Sequence, residues 1–474
     1  MEDIKLNKVV VEGKQNQSIS LNLEGELSRY VDSKLKDFIR EYSSNQKPIQ
    51  VNFRELVSWV PYSDSYTHYI HKYPAKLLKH IPIFFLNSKI LNGNDNATVL
   101  DPFCGSGTVL LESILNGFDA IGCDANPLAR LIASVKTTPL DPESLNRYLK
   151  SIVKRAKQFR KYDKKNIVNV DHWFPLDTQV NLSKIHRAIK EVSNKQERDF
   201  LLVTFSNIVK KSSFADPNLS VPVKIKPEKY LNLDLKNKLE EQVKQIETLD
   251  IYKVFNEQLK KNIQRIKLIH DKEINNTASI VSCDARKITK DLNTEIEMYA
   301  SNSVDFILTS PPYAGAQKYI RSSSLNLGWL EYCEDKPLRF YEKQNIGREH
   351  YTKGEYSKCL KVGVDCIDEM LLKIWNLNPL RAHINGNFLL EMESAIKEMY
   401  RVLKLGSNAV IVIGNNEVCG LNFETHKYLT AIAKRIGFKL ELVMIDDIHS
   451  RGLMTKRNKT ASIINSEWIL VFKK

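Results

Sequence analysis

Apolar positions along this chain recur with two different periods, and the places where one gives way to the other outline its architecture. Residues 98–100 form a β-branched, apolar strand end, Gly105 and Gly107 punctuate a turn, and residues 109–116 carry helical spacing closed by Gly117. A second strand over 120–123 then ends at Asp124. This is a βαβ unit, which implies parallel strands, a right-handed crossover and a ligand held at the carboxyl ends of the strands. Strands are predicted again at 279–284, 304–308, 409–413, 439–445 and 467–472, with helices near 387–403, stopped at Gly406, and 425–436, stopped at Gly437. The last two strands read as an antiparallel pair across a basic loop, HSRGLMTKRNKT.

Other stretches depart from this rhythm. A helix is expected around 27–42, and THYIHKYPAKLLKHIPIFFLNSKIL reads as a loop leading into an amphipathic helix after Pro74. From about 140 to 275 the chain is rich in Lys, Asn and Glu with helical periodicity, and from Tyr313 to about Asn385 it is loop-rich. The expected organisation is an α/β chain with a mostly parallel sheet: an N-terminal segment of unread role (1–60), a first core part (61–140), a helical insertion (141–277) and a second core part (278–474) with a candidate partner-contacting loop at 314–386. The insertion reads either as a target-recognition region or as a structural helical lobe.

A chain of 474 residues exceeds what one hydrophobic core usually organises, in keeping with a decorated catalytic core. Seventy Lys and Arg against 56 Asp and Glu give a net charge of +14, which favours a polyanionic partner. The 7 cysteines are scattered, without a C-x-x-C pair or a His cluster at zinc spacing, so neither a disulfide framework nor a metal site is expected. No apolar run approaches the roughly 20 residues that cross a bilayer, and a soluble, cytoplasmic protein is expected.

Chemistry concentrates in two motifs. In the first, a strand ending at Asp101 opens into Pro102-Phe103-Cys104-Gly105-Ser106-Gly107-Thr108. Its glycines let the backbone approach a ligand closely, yet it has neither the G-x-G-x-x-G spacing of a dinucleotide site nor the Lys-[Ser/Thr] ending of a phosphate loop. Asp124, at the end of the next strand, can accept hydrogen bonds from both ribose hydroxyls of an adenosine, and Asn126 is free to cap the following helix in its place. Asp284 ends a third strand and suits either an adenine amino group or a local turn.

The second motif is Thr309-Ser310-Pro311-Pro312-Tyr313, directly after the 304–308 strand. Two prolines cannot continue a strand ladder, so they force a stiff extended turn. That turn can hold the Ser310 hydroxyl and the Pro311 carbonyl as acceptors around an amino group while Tyr313 offers a π-face to a base. An exocyclic amine is a weak nucleophile that gains positive charge as it attacks a methyl donor, and preorganised acceptors stabilise that charge. A base buried in a duplex must first be swung out.

The pair DPFCGSGT and TSPPY resembles the amino-group DNA methyltransferases, which act on cytosine N4 or adenine N6, and HYIHKYPAKL resembles the cofactor-side motif that often precedes the Gly-rich turn there. The resemblance implies a Rossmann-like S-adenosylmethionine-dependent methyltransferase fold: a mostly parallel seven-stranded sheet with an antiparallel terminal strand. It further implies that Asp101, Pro102, Phe103, Gly105, Gly107 and Thr108 serve the cofactor, Asp124 its ribose and Asp284 its adenine. Tyr73 and Pro74, with His71 and Lys76, would lie over the methionine end. Ser310, Pro311, Pro312 and Tyr313 would be the catalytic set, with no metal. The implied partners are double-stranded DNA and a cognate restriction endonuclease. A Ser before the prolines is more typical of cytosine-N4 enzymes; adenine-N6 specificity, a base-amino RNA methyltransferase and a non-catalytic DNA-binding subunit are the alternatives. The departure from the pattern is one of order and spacing: the cofactor motif precedes the catalytic one, and a long insertion separates Asp124 from Asp284.

Overall fold

The computed structural model describes residues 16–61, 65–74, 76–92, 97–292, 297–313, 319–448 and 465–474. Its main sheet has eight strands: β1 (Ile49–Val51), β2 (Thr98–Asp101), β3 (Asp119–Cys123), β4 (Ala278–Ser282), β5 (Val304–Thr309), β6 (Leu403–Ile413), β7 (Lys439–Asp447) and β8 (Ser466–Lys473). They lie in the order β1-β7-β8-β6-β5-β2-β3-β4. Strands β4 to β6 run parallel through β3, β2 and β5, whereas β8 is antiparallel to both β6 and β7. The inner strands are apolar on both faces, with Val99, Leu100, Phe306, Ile307, Leu308 and Val410 fully buried, as expected of parallel strands covered by helices.

From β2 the chain moves outward through β3 to β4 and then returns to the other side of β2 with β5. The crevice where this order reverses, at the carboxyl ends of β2 and β5, is where α/β sheets bind ligands. The helix after β2, Thr108–Leu115, and the helix after β3, Pro127–Thr137, start beside it. Asn126 caps the second helix through Leu128 N at 3.1 Å, which leaves Asp124 free of that task.

A second apolar core belongs to a helical lobe. Helices Tyr148–Gln158, Leu176–Lys190, Lys195–Lys211 and Ile251–His270 pack with the buried face of Pro127–Thr137 and with the short helix Ser324–Trp329. Trp329 is fully buried and meets Phe174 edge-on at 5.5 Å. The lobe therefore draws on both sides of the catalytic motif in sequence: residues 145–266 and 320–341 share one core.

Several expectations are corrected. The sheet has eight strands, because Ile49–Val51 adds an edge strand parallel to β7; three residues are too few for a period to be seen. Residues 319–385 hold four whole helices, among them Asp365–Leu377, which buries Ile367, Leu371 and Ile374. The next helix begins at Pro379, with Asn378 capping Arg381 N at 3.1 Å, and ends at Val402; β6 then runs straight through Gly406. The helix after Pro74 starts only at His80. A short hairpin, Asn416–Val418 with Leu421–Phe423, was not anticipated. The basic loop before β8 lies outside the described residues, and among those described no helix is long and apolar enough to cross a membrane.

Candidate active site

The two motifs meet at one hydrogen bond. Thr309, the last residue of β5, donates its hydroxyl to Asp101 Oδ1 at 2.6 Å, and Phe103 N donates to the same oxygen at 3.1 Å. Asp101 is buried, and that burial pushes its carboxyl up to about 7 despite the two donors. Asp101 thus ties the end of β2 to the end of β5 instead of facing the cleft.

The Gly-rich turn is shaped by backbone that only glycine adopts readily. Gly105 and Gly107 have φ of +49° and +75°. A Cβ on Gly107 would stand 2.9 Å from Ala133 Cβ and 3.0 Å from its Cα, so this glycine lets two helices approach. Thr108 is buried as the first residue of its helix. Gly105, by contrast, faces the ligand space across from Tyr73, and a Cβ there would narrow it. Its N–H donates to Asp124 Oδ2 at 3.0 Å, and Asn126 N donates to Oδ1 at 2.7 Å. Each oxygen of Asp124 keeps a second lone pair directed away from these donors. Burial raises this carboxyl above its ordinary range, with the two backbone donors and Arg130 opposing.

An open cleft of about 620 Å³ lies here, and it brings together half of the residues anticipated from sequence. Tyr73, Pro102, Phe103, Gly105, Asp124 and Asp284 line it, and Ser310 and Pro312 enter from the other motif. Asp101, Gly107, Thr108, Pro74, Pro311 and Tyr313 are absent from its lining. The Tyr73 phenol accepts from Asn126 Nδ2 at 3.1 Å, so the upstream motif is anchored to the turn after β3. Lys76 donates to the His68 carbonyl at 3.2 Å and lies over Tyr69. The ring nitrogens of His71 are buried, and burial pushes its pKa down to about 4.

Asp284 is engaged more fully than its sequence context suggests. Arg286 donates to both of its oxygens, at 2.8 and 3.0 Å, and also to Glu391 at 3.1 Å. Sequence reasoning missed Arg286, and it missed the segment Gln344–Asn345–Ile346 with Tyr319, which closes the cleft opposite the Gly-rich turn. It also passed over Glu467 as a site residue: Tyr313 donates its phenolic hydrogen to Glu467 Oε1 at 3.1 Å. Arg286 stands two positions after Asp284, a proximity that could have marked it, whereas Glu467 and the 344–346 segment carry no local pattern. Among the described residues no group of His, Cys, Asp and Glu is arranged to hold a metal ion.

The cleft unites a glycine turn, a carboxylate with spare lone pairs and a rigid diproline turn that bears a hydroxyl. A family model described as DNA methylase matches residues 10–134. The chain is similar to the type II methyltransferase M.MvaI of Kocuria varians, 24% identical over 432 residues, 86% of this chain and 91% of that protein. It is also similar to the type II methyltransferase M.BsoBI of Geobacillus stearothermophilus, 24% identical over 394 residues, 72% of this chain and 73% of the other. Among solved structures, an S-adenosylmethionine-dependent methyltransferase from Methanosarcina mazei aligns over 81% of this chain and 94% of its own at 10% identity, with a TM-score of 0.29. The match to a DNA methylase model lies in the Gly-rich part of the chain, and the likeness to type II methyltransferases runs along most of its length.

Proposed function

We propose that this chain transfers a methyl group from S-adenosylmethionine to the exocyclic amino nitrogen of a base in double-stranded DNA, and that the base is cytosine, methylated at N4. The observation that carries this reading is the junction of the two motifs: Thr309 bonded to Asp101 at 2.6 Å sets Ser310 and Pro312 on the same cleft as Gly105 and Asp124. A serine ahead of the prolines favours cytosine N4 over adenine N6. The similar proteins are named as type II methyltransferases, which supports a role as the modification partner of a restriction endonuclease.

The cofactor supplies an electrophilic methyl group on a sulfonium. Gly105 and Asp124 bind its adenosine part, and Tyr73 closes over the side nearest Asn126. Asp284, held as a fixed acceptor by Arg286, would take the adenine amino group of that adenosine. At the other end of the cleft the Ser310 hydroxyl and Pro311 carbonyl accept from the two N–H groups of the target amine. They would stabilise the positive charge that grows on nitrogen as the methyl–sulfur bond of the sulfonium breaks to leave a neutral thioether and the methyl–nitrogen bond forms, the amine proton then passing to water. Tyr313, which is half-buried, supports the extruded base by stacking.

The DNA runs past this end of the cleft along a neighbouring groove that shares Tyr319, Asn345 and Ile346 with it and carries Arg321, Arg339, Lys343 and Arg348. Incubating the protein with duplex DNA and methyl-labelled cofactor, then sequencing the modified bases, tests the proposal. N4-methylcytosine at a fixed sequence is expected; N6-methyladenine would overturn the base assignment, and absence of transfer would overturn the activity.

A further inference from the structure

Because β8 runs antiparallel to β6, it begins at the edge of the sheet where β5 ends. Its second residue, Glu467, thereby reaches the back of the diproline turn, where Tyr313 donates to it at 3.1 Å. Directly across the β7–β8 ladder stands a second carboxyl, Asp446, on the same face of the sheet. The one cation that acts on Glu467 among the described residues is Arg54, which follows the added edge strand β1. Burial and Asp446 push the Glu467 carboxyl up to about 7, against the Tyr313 phenol and Arg54, which pull it down.

Two acids packed together behind a catalytic loop are a poor choice for stability, since an apolar pair of similar volume avoids their desolvation. What the pair gives in return is a fixed acceptor for one phenol. We propose that Glu467 is a positioning residue for methyl transfer: by accepting the Tyr313 hydroxyl it sets the plane of that ring and so the surface on which the extruded base rests. This rests on the methyl-transfer reading above. The N-terminal segment then has a part in the site, through β1 and Arg54, although neither touches the cleft.

The test is a cycle of variants in single-turnover methylation of duplex DNA. Glu467→Ala and Tyr313→Phe should each slow transfer about tenfold, with cofactor affinity unchanged, and the double variant should be no slower than either alone. Glu467→Gln should recover most of the rate, because its amide oxygen still accepts. A protonated Glu467 keeps a carbonyl oxygen that accepts, as the Gln amide does, so wild type and Glu467→Gln should share one rate profile through pH 7. Unfolding temperature and cofactor affinity check folding; should Glu467→Ala fail that check, Tyr313→Phe with Glu467→Gln and their double decides by the same rule. Full speed in Tyr313→Phe, or rate losses that multiply in the double, would overturn the positioning role while leaving methyl transfer standing. A wild type that transfers no methyl group would remove both.

Discussion

The acids of the sheet edge and those of the helical lobe are all at least partly buried, yet their environments push them in opposite directions. In the lobe, burial would raise Glu331, but it is gripped by Lys165 and by Lys190 at 2.6 Å, with His186 3.6 Å away, and is pulled down to about 2. Glu197 is likewise held low against its burial by Ser144, Tyr148 and Arg147. At the sheet edge the donors are neutral or a cation acts only weakly, and burial wins: Asp101 and Glu467 both stand near 7, and Asp124 is raised. The cation-paired acids of the lobe are scaffolding whose charge is already answered. Acids met only by hydroxyls and amides remain responsive to a bound molecule, and such perturbed groups collect where chemistry is done.

The largest effect that would sharpen this contrast is on catalysis. Tyr313→Ala should reduce methyl transfer at least about a hundredfold while cofactor binding persists. Equal rates for this variant and the wild type would break the assignment of the diproline turn. In the lobe, Glu331→Ala should leave the rate per folded molecule unchanged. It should lower stability at pH 7 by about 2–3 kcal/mol, less than a fully buried pair because Lys190 lies in solvent. Glu331 has a depressed folded-state pKa, so its contribution is present above the unfolded value and disappears as pH falls toward about 2. Denaturant melts of the two proteins should therefore converge in acid. A rate loss in this variant would mean that the lobe, too, takes part in the reaction.

The smallest effect concerns stability at the sheet edge. Glu467 is raised in the folded state, so folding is penalised as pH climbs from the ordinary carboxyl range through about 7. Glu467→Gln removes that penalty, and its gain in melting temperature over the wild type should be about 2 °C or more at pH 8 and close to nil at pH 5. The same gain at both values would show that Glu467 carries no buried charge.

The difference between the two regions also explains what could be read from sequence. Around β2, β3 and β5 each functional residue sits within a few positions of a strand end, so Gly105, Asp124 and Ser310 were legible as motifs and lie on one cleft. Asp101 and Gly107 were legible as well, though the first joins strands and the second spaces helices. Glu467 and Ile346 reach this region from distant parts of the chain and leave no spacing to detect, whereas Arg286 follows Asp284 by two positions. The lobe was visible as helical periodicity, but its union with residues 320–341 was not, since burial of Trp329 against Phe174 depends on tertiary packing. The strand Ile49–Val51 was missed because three residues carry no period.

The central claim is that a sulfonium cofactor and an extruded base meet where β2 and β5 end. Calorimetric titration of S-adenosylmethionine into wild type and Asp124→Ala tests it most directly. The account predicts saturable one-site binding to the wild type, weakened about ten- to a hundredfold in the variant by loss of a charged acceptor. Binding that is absent from well-folded wild type, or untouched by the loss of Asp124, would contradict it.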